Sequence, residues 1–380
     1  MKYCKKCLST DLRPNAKFED GVCIPCKYYD QLKTVNYDIK LQILKDKISH
    51  ILRNRKKKEN SYDCIIGVSA GKDSTRQAHW VRDRLGLNPL LVCAAYPPKQ
   101  MSHTGAYNMS NLIEMGFDII IDTPAPQSSS KLMLKAFKEF GNILKATEMS
   151  LFSTVPRLAI ELGVNLIFWG ENAALQVGDS ASGGIDEFDG NNLRNLNTLS
   201  SGGFDWIDDA VARLELKDHY LYPTVNEFEK SNINILYLGP AWDDWSDENN
   251  SIYAALQGLE LKPQQERSTG DLLNASMLDE EFISLNFLLR YYKFGFGRAT
   301  DYTCGQIRSD KLTRDEAIKI VQEYDGVYDE NIIQMFCKYV GITIEEFWNI
   351  TNKWVNQDIF TIREGKPPVR KFTVGVDYDC

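Results

Sequence analysis

The chain has 380 residues, 43% hydrophobic and 11% aromatic, enough for a full core and more than one average domain. A net charge of -8 argues against a dedicated nucleic-acid binder, whose domains are typically basic. No apolar stretch approaches the ~18–20 residues of a membrane span, and Met1-Lys2-Tyr3-Cys4 opens without a signal-peptide core, so a cytoplasmic protein with no membrane partner is expected.

Four of the nine cysteines stand in two pairs, Cys4-x2-Cys7 and Cys23-x2-Cys26, separated by fifteen residues. Each pair can turn two thiolates toward one tetrahedral Zn²⁺, so a structural zinc ribbon is expected over residues 1–30. So short a segment has no core of its own, and metal would supply its folding energy. Cys64 and Cys93 read as small core residues in strands. Cys304, Cys337 and Cys380 have no evident role, and none is read as a nucleophile.

Residues 31–60 read as a helical linker. Tyr28 to Arg53 carries Leu41, Leu44, Ile48 and Ile51 at helical spacing and ends in a basic run, Arg53, Arg55, Lys56, Lys57 and Lys58. A solvated helix end, favoured by the macrodipole, accounts for that run better than an RNA contact.

Residues 61–248 alternate short β-like and amphipathic runs. Strands are expected at Tyr62–Val68, Pro89–Ala95, Phe117–Ile121, Val164–Trp169 and Ile233–Leu238. Helices are expected at Ser74–Leu85, Thr104–Met115, Ser129–Thr147 and Ser150–Leu162. Continuously apolar strands alternating with helices predict a parallel α/β sheet, with ligands at the carboxyl ends of its strands. Ser69-Ala70-Gly71-Lys72-Asp73-Ser74 stands at such an end, between a strand and a helix start, where amides and the helix dipole suit a polyphosphate. It is not a Walker A motif, because three residues separate Gly67 from Gly71 and Asp73 follows the lysine. Tyr96-Pro97-Pro98 and Gly170-Glu171-Asn172 occupy two other strand ends.

Residues 178–203, rich in Gly, Asn, Ser and Asp, are too long for a simple connector and read as a lid, a docking insertion or a floppy loop. From residue 249 to 380 the pattern is helical, with capping-box signatures at Thr313-x2-Glu316 and Thr343-x2-Glu346. Between them, Lys293-Phe294-Gly295-Phe296-Gly297-Arg298 suits a phosphate- or sugar-facing loop, or a turn with snorkelling cations.

The loop at Ser69 resembles the SGGxDS loop of the PP-loop ATP pyrophosphatases, which cleave ATP between the α- and β-phosphates and adenylate a carbonyl oxygen. Ala70 stands where that pattern has its first Gly, so a positive-φ or close-approach position is expected at Gly71 instead. Nearly the whole chain is similar to the N-acetyl sugar amidotransferases of bacterial surface-glycan and nonulosonic acid pathways, including the pseudaminic and legionaminic branches. The resemblance rests on Met1–Cys7, Arg13-Pro14, Gly21-Val22-Cys23 with Cys26, Ile65–Thr75, Leu85–Val92, Trp169–Asn172 and Lys293–Asp301.

The resemblance implies a parallel-sheet PP-loop domain, an N-terminal zinc ribbon and a helical C-terminal region. It implies conversion of a sugar acetamido group to acetamidino with ATP, Mg²⁺ and ammonia, the ammonia coming from a separate glutaminase and cyclase-like subunit, or free. The amides of Ala70–Ser74 and the hydroxyls of Ser69 and Ser74 are assigned to the phosphates. Lys72 reaches the phosphates or points to solvent; Asp73 holds Mg²⁺ or caps the helix. Gly170, Glu171 and Asn172 face substrate or metal. Arg298, ahead of Lys293, pairs with phosphate or an acidic group. His103 reads as a surface residue rather than a base. The rival readings are tRNA thiolation and a non-catalytic ATP-binding zinc-ribbon adaptor.

Overall fold

The computed structural model describes residues 1–54, 62–170, 188–191, 206–207, 219–262, 270–363 and 365–378. Arg55–Lys58 of the basic run, Glu171, Asn172, Cys380 and all of 178–203 except 188–191 lie outside the described residues.

The N-terminal segment is a knuckle closed by a hairpin, β1 (Phe18–Glu19) and β2 (Val22–Cys23). Its two-residue turn, Asp20-Gly21, has positive φ at both positions, the turn that matches strand twist. The expected single helix from Tyr28 to Arg53 is two helices, α1 (Ile24–Leu32) and α2 (Tyr37–Arg53). Asn36 starts the second by accepting from the Ile39 amide, a cap that interrupts the apolar pattern.

The centre is a five-stranded parallel sheet: β3 (Cys64–Gly67), β4 (Pro89–Ala94), β5 (Ile119–Asp122), β6 (Leu166–Trp169) and β7 (Asn234–Tyr237). Its order is β5-β4-β3-β6-β7. Successive residues point to opposite faces. Ile66, Leu91 and Cys93 meet α2 and α4 (His103–Glu114), while Ile65, Leu90 and Val92 meet α5 (Pro126–Phe140) and α6 (Lys145–Leu162). The α5–α6 break lies at 141–144, earlier than the sequence pattern places it. Gly141 adopts φ +57 there, and a side chain at that position would strike the Trp354 ring. Phe188 is buried, and Asp189 bridges to Leu236 on the sheet's edge strand β7. The strand order reverses between β3 and β6, so the loop after β3 sits at the switch point where α/β sheets bind ligands.

The C-terminal region is α8 (Asp247–Leu256), which follows the short α7 (Val225–Ser231) and β7, then α9 (Ile283–Phe294), α10 (Arg298–Arg308), α11 (Arg314–Tyr324), α12 (Glu330–Val340) and α13 (Ile344–Trp354). A hairpin, β8 (Phe360–Arg363) and β9 (Lys366–Arg370), closes it. Thr313 with Glu316 and Thr343 with Glu346 form reciprocal capping boxes on α11 and α13. One apolar core joins these helices to Cys4, Cys7, Cys23 and Cys26, and to Met133 and Phe137 on α5.

Asp279 and Glu280 lie wholly buried beneath α4. Burial pushes their carboxyls up to about 7 and about 8. The folded chain therefore keeps protons that the unfolded chain loses near pH 4. That stabilisation is complete below about pH 4, declines as pH rises, and is gone above about pH 8. The melting temperature is expected to fall between pH 6 and pH 8.5. In Glu280→Gln the slope should be shallower; an equal slope in both proteins counts against this assignment.

Candidate functional site

β3 delivers the chain into Val68-Ser69-Ala70-Gly71, and α3 (Lys72–His79) begins at once. The positive-φ residue is Ala70, at +53, and not Gly71, which sits in extended backbone at -90. Ala70 is fully buried, so core packing of its methyl offsets the left-handed strain. The Ser74 hydroxyl accepts from the Ser69 amide at 3.3 Å and faces the Gly71 carbonyl at 3.2 Å, bracing the loop from within. Gly71 is the N-cap of α3 and supplies no side-chain cap; Asp73 lies in the first turn and accepts from Asn250 at 2.6 Å instead.

Lys72 does not point to solvent. Its ammonium is buried, 2.5 Å from Asp73 and 2.9 Å from Asp247. Burial pulls its pKa down, but the two carboxylates outweigh that and the net shift is upward. The second oxygen of Asp247 lies 3.6 Å from Arg298, whose Nε donates to Ser276 at 2.9 Å. Arg76, on the next turn of α3, pairs with Asp244 at 2.6 Å and donates to Asn250 at 2.7 Å. Asp244, Asp247 and Asn250 carry no local motif, and sequence reading passed over them. The one signal available was a cluster of acidic and amide residues after the last sheet strand.

Two cavities meet at this network, sharing Asp73 and Trp245. One, about 130 Å³, lies over the ends of β3, β4 and β6 against Ser69, Gln77 and Trp169. Gly170 belongs to its lining, and its lack of a side chain is explained by Gln77, whose Oε1 would stand 2.7 Å from a Cβ there. The other is a cleft of about 740 Å³, lined by Lys72, Arg290, Arg298 and Arg308 and by aromatic rings including Tyr37 and Trp242. Asp301 anchors its floor. It pairs with Arg13 and, at 2.7 Å, with Arg290; burial raises its carboxyl, but these arginines and Arg298 hold it well below the ordinary range.

The Lys293–Asp301 run is split by this geometry. Arg298 faces the cleft. Lys293 does not line it; its ammonium donates to the Phe140 carbonyl at 2.7 Å and lies over Trp354. Nor are the amides at the start of α10 open to a phosphate. Asp325 accepts from the Gly297 and Ala299 amides at 2.8 and 3.0 Å, and a Cβ on Gly297 would strike that carboxylate. His103 is an exposed residue in the first turn of α4.

The sulfurs of Cys4, Cys7, Cys23 and Cys26 all lie within 4.8 Å of one another, buried. Amides donate to them as they do to metal thiolates: Lys6 and Cys23 to Cys4 at 3.4 and 3.3 Å, Ser9 to Cys7 at 3.4 Å. Four convergent thiols fit one tetrahedral metal ion and leave no position open for water, as in a structural site.

A parallel sheet of this order, with a small-residue loop after its central strand, an N-terminal cysteine cluster and a helical C-terminal region, is a PP-loop-type architecture. Residues 280–372 match the family model for the C-terminal domain of WbpG-like LPS biosynthesis proteins, which fits the resemblance to N-acetyl sugar amidotransferases. The chain is 28% identical over 111 residues to an uncharacterized protein of Methanocaldococcus jannaschii, covering 29% of this chain and 38% of that one. Among solved structures, a U34-tRNA thiolase of Methanococcus maripaludis with its iron–sulfur cluster aligns over 85% of this chain and 89% of its own, at 11% identity and a TM-score of 0.33. Among the described residues no helix is long and apolar enough to cross a membrane.

Two outcomes follow from the site. Lys72→Met leaves Asp73 and Asp247 without their shared cation, and should cost about 3 kcal/mol in urea unfolding of the ligand-free protein. A loss within error of zero would mean that Lys72 is solvated. Purified protein should carry one metal ion per chain by elemental analysis, and Cys23→Ser should lose it.

Proposed function

We propose that the protein is an ATP-dependent amidotransferase that converts the acetamido group of a sugar to an acetamidino group in bacterial surface-glycan biosynthesis. The observation that carries this reading is the contact between two sites. The loop after β3 and a cation-lined cleft meet at Lys72, Asp73 and Asp247, and much of the cleft wall comes from the segment that matches the LPS biosynthesis domain.

In this reading ATP lies over the strand ends, with its phosphates against the Ser69–Ser74 loop, and the sugar lies in the cleft. The amide carbonyl is a poor electrophile whose oxygen leaves poorly. Its oxygen attacks the α-phosphorus, the α–β bond breaks, and pyrophosphate departs. Loss of the amide proton gives a neutral imidate bearing AMP. Ammonia then adds to the imidate carbon, and the C–O bond to AMP breaks, leaving the amidine. Lys72 moves from Asp247 to the departing pyrophosphate, where a preorganised cation stabilises developing charge. Asp73 is the carboxylate best placed for Mg²⁺. Arg298 and Arg290 hold an anionic group of the sugar. The cysteine centre holds Zn²⁺. Ammonia is free or is delivered by a separate glutaminase and cyclase-like subunit, and the reaction takes place in the cytoplasm.

Enzyme, ATP, Mg²⁺, ammonium and a panel of N-acetylated sugars should yield AMP, pyrophosphate and a product in which oxygen is replaced by NH, read by mass spectrometry. Arg298→Ala should weaken acceptor binding by about 2–5 kcal/mol, the cost of stranding one partner of a buried charge pair. ADP and orthophosphate as the direct products, or thiolated RNA in a parallel reaction with no sugar altered, would overturn the proposal.

A further inference from the structure

Three of the cleft's four arginines have a carboxylate partner: Arg13 and Arg290 share Asp301, and Arg298 faces Asp247. Arg308, at the last turn of α10, has none among the described residues. Its Nε is shut off from solvent without a hydrogen-bond partner. The groups that hold its positive charge are sulfurs, Cys304 first, then Cys7, Cys26 and Cys23. Cys304 stands one turn earlier on the same face of α10, buried in the core that contains the four paired cysteines, and its thiol interacts with Cys7.

Four thiolates around one divalent ion carry a net charge of -2, and such an excess is costly in a buried site without a cation nearby. The knuckle's amides stabilise the sulfurs by hydrogen bonding but bring no charge. Lys6 approaches only from the solvent side, where its side chain is 49% exposed and paired with Asp30. Arg308 approaches from the protein side.

We infer that Arg308 is the counter-cation of the cysteine metal centre and that Cys304 is a fifth thiol that donates S–H to the Cys7 sulfur. Both are positioning residues, not ligands. Together they fasten the centre to the helix that carries Arg298 and Asp301 at its other end. The metal centre thus holds one wall of the cleft, and Arg308 belongs to both.

The test uses full-length protein loaded with zinc and the rate and extent of zinc transfer to a chromogenic chelator. Arg308→Met should weaken zinc affinity about 10–100-fold, the effect usual for outer-sphere partners of metal ligands. Arg308→Lys, which keeps the charge, should recover most of the loss. Arg298→Met removes the same charge from the cleft end of the same helix and should leave zinc affinity unchanged. Where Arg308→Met does not fold, Cys304→Ala carries the test, with a several-fold faster release expected. Zinc held equally by wild type and Arg308→Met, equal losses in the Arg308 and Arg298 variants, or unchanged release from Cys304→Ala would each overturn the inference.

Discussion

Asp247 has one oxygen on Lys72 of the phosphate loop and the other near Arg298 of the C-terminal region. Two cations that face different cavities share one carboxylate. In the ligand-free chain their charges are met internally, with Asp73 completing a balanced group of two cations and two anions. An anion that enters either cavity must compete with Asp247 for its cation. The strength of this contact therefore sets how exclusive the two sites are toward polyanions, and keeps Lys72 ordered before any ligand arrives.

The same contact explains the arrangement around it. α8 contributes Asp247 and Asn250 to the first two turns of α3, and Arg76 answers with Asp244. The loop is thereby held from outside the sheet as well as by Ser74 from within. On the opposite wall, Asp325 spends its carboxylate on the start of α10. That leaves the cleft's attraction for anions to side chains alone, where guanidinium forks can match a planar partner.

Much of the fold was legible because its signals are local. The strands announce themselves as apolar runs, the cysteine pairs by spacing, and the capping boxes by two residues three apart. The loop's position followed from strand and helix order. Its internal geometry did not: a sequence rule places left-handed backbone at glycine, and here Ala70 takes it because its methyl is fully enclosed. Arg298 and Lys293 look equivalent in sequence. A turn of helix separates them, and the glycine between sends one to the cleft and the other to Phe140. The partners that matter most, Asp247 to Lys72 and Asn250 to Asp73, lie some 175 positions apart in the chain. No pattern in a single sequence announces contacts of that range.

Helix α5 belongs to two cores at once. Leu132 and Ala136 face the sheet, while Met133 and Phe137 enter the core that holds the C-terminal helices and the cysteine knuckle. Two bodies joined by such a helix cannot rock apart as hinged domains without stripping one of its faces, and packed apolar interfaces of this kind resist continuous sliding. Admission of substrates must then come from segments at the rim of the strand ends rather than from separation of sheet and cap. The halves should also melt as one cooperative unit, with the slowest backbone amides to exchange lying on α5 itself.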